Sequence, residues 1–289
     1  MTGRPTSSCF FASDLHGSEP RYRTLFAAVE RERPAAVFLG GDLLPSGLPR
    51  GRASSGDFLR EVVAPGLREL KSRVGPWYPR LLVIFGNDDP RSEEPAALEL
   101  DREGLWEYVH RRQVALADWR VYGYACVPPT PFLLKDWECY DVSRYVDPGC
   151  VSPEEGLRTA EADPRAARQR TIEADVRALA GEDDQARAIW LFHTPPYRTS
   201  LDRAALDGRS VDHVPLDVHV GSIAVRRFIE SRQPAVTLHG HVHESARLTG
   251  AWLERIGRTV SLSAAHDGPE LALVRFDPAS PHEATRGLL

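Results

Sequence analysis

The sequence predicts an α/β protein whose strands are buried on both faces. Three observations carry this. Short continuous apolar runs recur along the chain, as at Ala36 to Leu39 and Ile189 to Phe192. Segments with apolar residues at helical spacing stand between them. A glycine or a polar residue closes each run, and runs this short with flanking glycines favour strand over buried helix. Strand alternating with helix is the α/β pattern.

Ser8 to Ser13 reads as the first strand, followed by Asp14-Leu15-His16-Gly17. From Arg21 to Arg33, Leu25, Phe26 and Val29 recur at helical spacing, and Pro34 ends the helix. Ala36 to Leu39 is the second strand, closed by Gly40-Gly41-Asp42. Residues 45 to 56 are rich in Gly, Pro and Ser and read as loop. Asp57 to Arg73 is an amphipathic helix offering Phe58, Val62, Leu67 and Leu70 to the core. Leu81 to Phe85 is the third strand, ended by Gly86-Asn87-Asp88-Asp89. Ala96 to Arg112 reads as helix and Arg120 to Cys126 as strand. Residues 127 to 160 are proline-rich, aromatic and irregular. Pro164 to Ala180 reads as one helix. Ile189 to Phe192 is a fourth strand ended by His193, with a long loop to about His219. Gly221 to Ser231 is a helix stopped before Pro234. Val236 to Leu238 leads into His239-Gly240-His241-Val242-His243, and Val260 to Leu262 and Leu271 to Phe276 are closing strands. The expected organisation is one domain over residues 1–289, with an insert at about 127–160 placed to cap a site.

The bulk numbers narrow the function classes. A chain of 289 residues, 42% hydrophobic and 27% charged, suits a large globular domain. A net charge of −5 gives no support to a generic nucleic-acid groove. Lys71 and Lys135 are the only lysines, so nearly all positive charge is arginine. Cys9, Cys126, Cys139 and Cys150 form no CxxC pair, which reads as reduced thiols. Phe10-Phe11 is far too short for a signal sequence, and no apolar stretch reaches membrane-spanning length. A soluble cytoplasmic protein with no membrane partner is expected.

Five apolar runs end in metal-type residues: Asp14 with His16, Asp42, Asn87 beside Asp88, His193, and His241 with His243. One such Asp is more often a helix cap or turn former than a ligand. Five in a row are hard to explain as caps. In an open α/β sheet the loops at strand carboxyl ends meet in one crevice, so separate strands can assemble a site. Carboxylate and imidazole without thiolate suits Mn, Fe or Zn. Seven such groups suffice for two ions about 3.5–4 Å apart sharing one carboxylate. Two ions so placed activate a water for in-line attack on phosphorus and stabilise the developing charge. That chemistry is phosphoester hydrolysis.

At these residues the chain resembles the calcineurin-like metallophosphoesterases. Their pattern of D-x-H, G-D, G-N-x-[DE], a lone H and G-H-x-H stands here as Asp14-Leu15-His16, Gly41-Asp42, Gly86-Asn87-Asp88-Asp89, His193 and Gly240-His241-Val242-His243. The match spans residue 9 to about 276. The resemblance implies a sandwich of two mixed β-sheets flanked by helices, in four layers, with the metals at the carboxyl ends of strands. It places Asp14, His16 and His243 on one ion and Asn87, His193 and His241 on the other, with Asp42 bridging. His239 has no family role and is expected to pack or to support the ligands.

The sequence departs from the family at one place. Many members carry a histidine directly after the asparagine, assigned as the acid that protonates the leaving group. Asp88 stands there, and a carboxylate beside two cations is a poor proton donor. Relatives lacking this histidine are often phosphodiesterases. Other donors are available: His219, His213 and His266. His219 ranks first because it adjoins the start of the helix at Gly221, whose N-terminus could itself face a phosphate.

Two segments are candidates for substrate binding. Tyr197 and Arg198 follow the His193 ligand directly. In the 127–160 insert, Lys135, Arg144 and the aromatics either line a pocket for a nucleotide-like phosphodiester or brace a rigid loop on the sheet edge. The leading function is a dinuclear metal-dependent phosphodiesterase acting on small phosphoesters, with Asp42, Asn87, Asp88 and His219 as catalytic groups. The alternatives are a phosphomonoesterase or protein phosphatase, and a metal-binding scaffold of the same fold with weak catalysis. The G-D-x-x-D-R-G and G-N-H-E forms typical of protein phosphatases are absent.

Overall fold

A computed structural model describes residues 8–46 and 58–289. Its strands, in chain order, are β1 (Cys9–Ala12), β2 (Ala36–Gly40), β3 (Arg80–Ile84), β4 (Glu107–Tyr108), β5 (Arg112–Leu116), β6 (Trp119–Tyr124), β7 (Ala188–Phe192), β8 (Ser210–Val211), β9 (Val214–Pro215), β10 (Val236–His239), β11 (Leu253–Ile256), β12 (Thr259–Ser263), β13 (Ala272–Phe276) and β14 (Thr285–Leu288). The α-helices are α1 (Glu19–Glu32), α2 (Ala64–Val74), α3 (Glu94–Arg102), α4 (Pro164–Gln169), α5 (Ile172–Ala180), α6 (Ile223–Arg232) and α7 (Ser245–Thr249).

Two six-stranded sheets carry the fold, in the orders β14-β13-β1-β2-β3-β4 and β11-β12-β10-β7-β6-β5. In the first, β1, β2 and β3 are parallel neighbours. In the second, β6, β7, β10 and β12 are. β4 extends the first block as a parallel neighbour of β3, and antiparallel strands stand at the other margins. The sheets face each other, with β2 against β7 and β3 against β6.

Alternation along the strands decides what each face meets. On β6 and β7, Val121, Ile189 and Leu191 enter the core between the sheets. Tyr122, Tyr124, Trp190 and Phe192 point the other way, under Ile172 and Val176 of α5 and Val225 and Phe228 of α6. Leu25 and Val29 of α1, Leu67 and Leu70 of α2, and Ala97 and Leu100 of α3 belong to the same large core as the first sheet. The continuous apolar runs are therefore two-sided strands, as expected, and the layers form the α/β/β/α sandwich that the resemblance implied.

Several element boundaries differ from the sequence reading. The predicted helix over 96–112 ends at Arg102, because Gly104 takes the left-handed backbone of a helix stop, at φ 66°. The chain beyond it is extended: Glu107 and Tyr108 pair with Leu82 and Val83. The predicted helix over 164–180 is two helices. Arg170 is extended, and the Thr171 hydroxyl accepts the Ala174 amide at 3.2 Å to start a new one. Residues 47–57, covering most of the predicted 45–56 loop and Asp57, lie outside the described residues. The helix that follows opens with a π-helical turn at Leu59–Val63, where Pro65 has no N–H to give to the preceding turn. β11 and β14 are edge strands with half-exposed, charged sequences, so no apolar run announces them.

Candidate metal centre and active site

The parallel strands send their carboxyl ends to one edge of the sandwich, and the five motifs are the loops there. Backbone bonds tie these loops together. The Asp14 amide donates to Gly41 O at 2.9 Å and the His16 amide to Asp42 O at 2.8 Å. In the second sheet, the Gly240 amide donates to His193 O at 2.9 Å. Asp14, His16, Asp42 and His241 all adopt positive φ, at 58, 45, 50 and 74°. That backbone is uncommon for non-glycine residues and persists where surrounding structure imposes it. Two glycines are required by close approach. A Cβ on Gly86 would stand 2.3 Å from Asp42 Oδ1, and one on Gly240 would stand 2.0 Å from Ser13 Oγ and 2.7 Å from Asp14 Oδ2.

The side chains converge in two groups that share Asp42. Donor atoms of Asp14, His16, Asp42 and His243 all lie within 4.8 Å of one another. His243 Nε2 is 3.1 Å from His16 Nε2 and 3.2 Å from Asp14 Oδ1. On the other side, His193 Nε2 is 3.1 Å from Asn87 Oδ1 and 3.3 Å from Asp42 Oδ2. Asp42 Oδ2 also lies 4.0 Å from His16 Nε2, so one oxygen faces both groups. His241 donates its amide to Asp14 Oδ1 at 3.0 Å, and its ring centre is 5.2 Å from that of His193.

The electrostatics are those of a cation site. Burial opposes ionisation of Asp14, but the His243 hydrogen bond and charge bring its carboxyl down to about 2. Burial likewise opposes ionisation of Asp42, and His193 outweighs it, holding this carboxyl well below the usual range. Burial disfavours charge on His193, yet Asp42 pushes it up to about 9. Burial, with the His193 charge beside it, pushes His241 down to about 3. His193 Nδ1 contacts Gly40 O at 2.8 Å. A carbonyl only accepts, so Nδ1 carries the proton and Nε2 is the end available to a ligand. Asp14 Oδ2 is buried without any hydrogen-bond partner. An anionic oxygen left so is costly, and a divalent cation is the partner it lacks. The donor set, the unpartnered oxygen and the glycine clearances fit two ions.

The sequence of the whole segment carries a family signature as well. The family model described as Calcineurin-like phosphoesterase matches residues 9–245. The chain belongs to the calcineurin-like phosphoesterases. It is a metallophosphoesterase, a hydrolase of phosphoester bonds. No curated protein matches it. Among solved structures, one superposes with a TM-score of 0.61 over 98% of both chains at 15% identity. A protein of Thermus thermophilus gives 0.55 at 16% identity, covering 97% of this chain and 98% of that one. A dimetal phosphatase from Danio rerio gives 0.51 at 12% identity, covering 94% and 93%. At these identities the likeness is one of fold.

The remaining candidates fall in different places. Asp88 sits beside the cluster, with Oδ2 3.4 Å from His16 Nδ1. His219 lies in the loop after His193, its Nδ1 2.8 Å from Asp202 Oδ1, with its ring partly exposed. Tyr197 is beside it, the ring centres 6.2 Å apart, and bonds Asp217 through its hydroxyl at 2.6 Å. Arg198 is exposed and stacks over Tyr197 at 5.2 Å. His239 is fully buried, with Nδ1 on Thr194 O at 2.9 Å and Nε2 on Thr237 Oγ1 at 2.7 Å. Both nitrogens are engaged, so it packs, as expected. His213 is exposed in the β8–β9 turn, and His266 bonds Glu270 at 3.0 Å.

Two expectations need correction. Lys135 is fully buried, and its ammonium binds Glu138 at 2.5 Å and Thr130 O at 2.8 Å. It is held inside the 127–160 segment and is not presented to a substrate. The N-terminus of α6 is not open to a phosphate either: Asp141 accepts the amides of Ile223 at 2.7 Å and Ala224 at 3.2 Å. The 127–160 segment braces the site. Trp137 is buried and its indole donates to Asp89 O at 2.8 Å, and Asp136 accepts the Arg91 amide at 2.8 Å.

Sequence reasoning missed Asp89 and Asp202. Asp89 accepts the amides of Leu43, Leu44 and Gly86 at 2.9, 2.8 and 2.8 Å, locking the β2 and β3 loops together. Asp202 accepts those of Arg198 and Thr199 at 2.8 and 2.9 Å besides holding His219. Asp89 is visible as the last residue of the G-N-D-D motif; Asp202 has no local signal.

Proposed function

We propose that the chain is a dinuclear phosphodiesterase acting on small phosphoesters. Asp14, His16 and His243 hold one ion, Asn87, His193 and His241 the other, and Asp42 is shared. The observation that carries this is Asp42 Oδ2, which faces His193 Nε2 at 3.3 Å and His16 Nε2 at 4.0 Å. When bound, two ions supply a nucleophile at neutral pH and neutralise charge on the phosphoryl oxygens. Mn, Fe or Zn suits the donor set.

The protein's own side chains supply the rest. His219 is the proton donor in this reading. Asp202 accepts from Nδ1–H, which turns Nε2 outward. The loop bearing His219 and Asp202 lies against the histidine loop: the Ala205 amide donates to Glu244, next to His243, at 2.9 Å. Tyr197 and Arg198 are the groups offered to the substrate, and Asn87 contacts it beside its ion. Of the insert's aromatics Trp137 and Tyr140 are buried, and Phe132 and Tyr145 are the exposed ones left to stack on a base. Diesters are favoured because Asp88 occupies the position where many members of the family carry a histidine acid.

Among the described residues no helix is long and apolar enough to cross a membrane. Among the described residues no cysteine is in a disulfide, which supports a reducing, cytoplasmic setting. The direct test is turnover of bis-p-nitrophenyl phosphate with added Mn. Hydrolysis that depends on the ion is expected; no hydrolysis with any divalent ion would overturn the reading.

A further inference from the structure

We infer that Asp88 is a positioning residue for the ligand His16 rather than a group that meets the substrate. The inference rests on the two-ion reading, in which His16 binds an ion through Nε2. Asp88 belongs to the loop after β3, whereas His16 belongs to the loop after β1. Asp88 Oδ2 reaches across to His16 Nδ1 at 3.4 Å. Its other oxygen accepts the Ser46 hydroxyl at 2.9 Å. Its amide donates to Asp42 Oδ1 at 2.8 Å. Three contacts therefore hold Asp88 in place.

The two nitrogens of an imidazole are not equivalent. A carboxylate at Nδ1 keeps the proton there and leaves the Nε2 lone pair for the ion. It also fixes the ring plane and makes the nitrogen a stronger donor. His16 Nε2 indeed faces the cluster, 3.1 Å from His243 Nε2. His193 receives the same service from a carbonyl, Gly40 O at 2.8 Å. At His16 the Asp88 carboxylate takes that part. The aspartate in place of a histidine is then a change of role at that position: a leaving-group acid is given up and a ligand is braced.

The test is Mn binding followed by calorimetry on wild type, Asp88→Ala, Asp88→Asn and His16→Ala. His16→Ala identifies the binding step that needs His16. Asp88→Ala is expected to weaken that step about 10–100-fold and leave the other unchanged, which also shows an intact fold. Asp88→Asn is expected to restore most of the loss, since its amide oxygen still accepts from Nδ1–H. Wild-type affinity in Asp88→Ala, or equal weakening of both steps, would overturn the inference while leaving the two-ion reading standing. A wild type that takes up no Mn would overturn both.

Discussion

The Nε2 atoms of His16 and His243 stand 3.1 Å apart, although 227 positions separate the two residues in sequence. Two imidazole nitrogens at that distance, with Asp14 Oδ1 3.2 Å from the second, form a nest of electron pairs. Such a nest is stable only with a proton or a cation inside it. Removing one wall should therefore remove the ion. His243→Ala is expected to lower the Mn content of the purified protein by one ion per chain. Turnover of bis-p-nitrophenyl phosphate should fall by more than about a hundredfold, the range that even outer partners of a ligand reach. Unchanged metal content would refute the ligand assignment.

The Asp202–His219 contact makes a prediction that depends on the leaving group. A proton donor matters when the departing oxygen is basic and hardly matters when it is p-nitrophenolate. His219→Ala should slow hydrolysis of an alkyl ester by roughly 10²–10⁴-fold and that of the p-nitrophenyl ester far less. Asp202→Asn should show the same selectivity at smaller size. Equal losses on both esters would show that His219 acts only in binding or folding.

Lys135 and Glu138 form a buried pair, and Thr130 donates to Glu138 through its amide and its hydroxyl at 2.8 and 2.6 Å. Burial raises the Glu138 carboxyl to about 7 despite the ammonium. Lys135→Met strands this carboxylate and should destabilise the protein by about 3–5 kcal/mol. Lys135→Met with Glu138→Gln should recover most of it, because the glutamine still accepts from Thr130. KM of the folded single variant should match wild type, as the ammonium does not face the substrate. Denaturant unfolding and steady-state kinetics check both parts.

Arg275 of β13 holds Glu32 of α1 by two bonds, at 2.7 and 2.9 Å. The Arg275 hydrogen bond brings the Glu32 carboxyl down to about 2, from 4.5. The folded value is depressed, so this contribution is present above about pH 4.5 and lost as pH falls through about 2. The pair is partly exposed and worth about 1 kcal/mol. Arg275→Met keeps packing on Phe10 and should lower Tm by roughly 2 °C at pH 7. The difference from wild type should shrink on acidification from pH 4.5 toward pH 2. A constant difference would mean that packing, not charge, joins the helix to the strand.

Much of the candidate site is legible in the sequence because its candidate ligands sit at strand ends. Each strand is an apolar run, and the residue just past it, such as Asp14, Asp42 or His193, is marked by position alone. The stretch 96–112 reads as one helix because apolar residues continue past Gly104, while the left-handed backbone of that glycine ends the helix. β11 and β14 escape notice because an edge strand with a solvated face has no continuous apolar run. Lys135 is misplaced for a different reason: a lysine among aromatics reads as a pocket wall, and its partner Glu138 three residues on looks like any surface charge.

By itself the sequence determined the strand and helix alternation, the family and the seven candidate ligands. These follow from local pattern and from motifs whose chemistry is carried by residue type. Only the tertiary structure decided which face of each strand meets the other sheet, that Asp42 lies between two groups, that His239 is spent on Thr194 and Thr237, and that Asp88 turns toward His16. Those are contacts between loops and strands far apart in the chain. Their distances depend on how the strands align and the two sheets stack, which no spacing along the chain encodes.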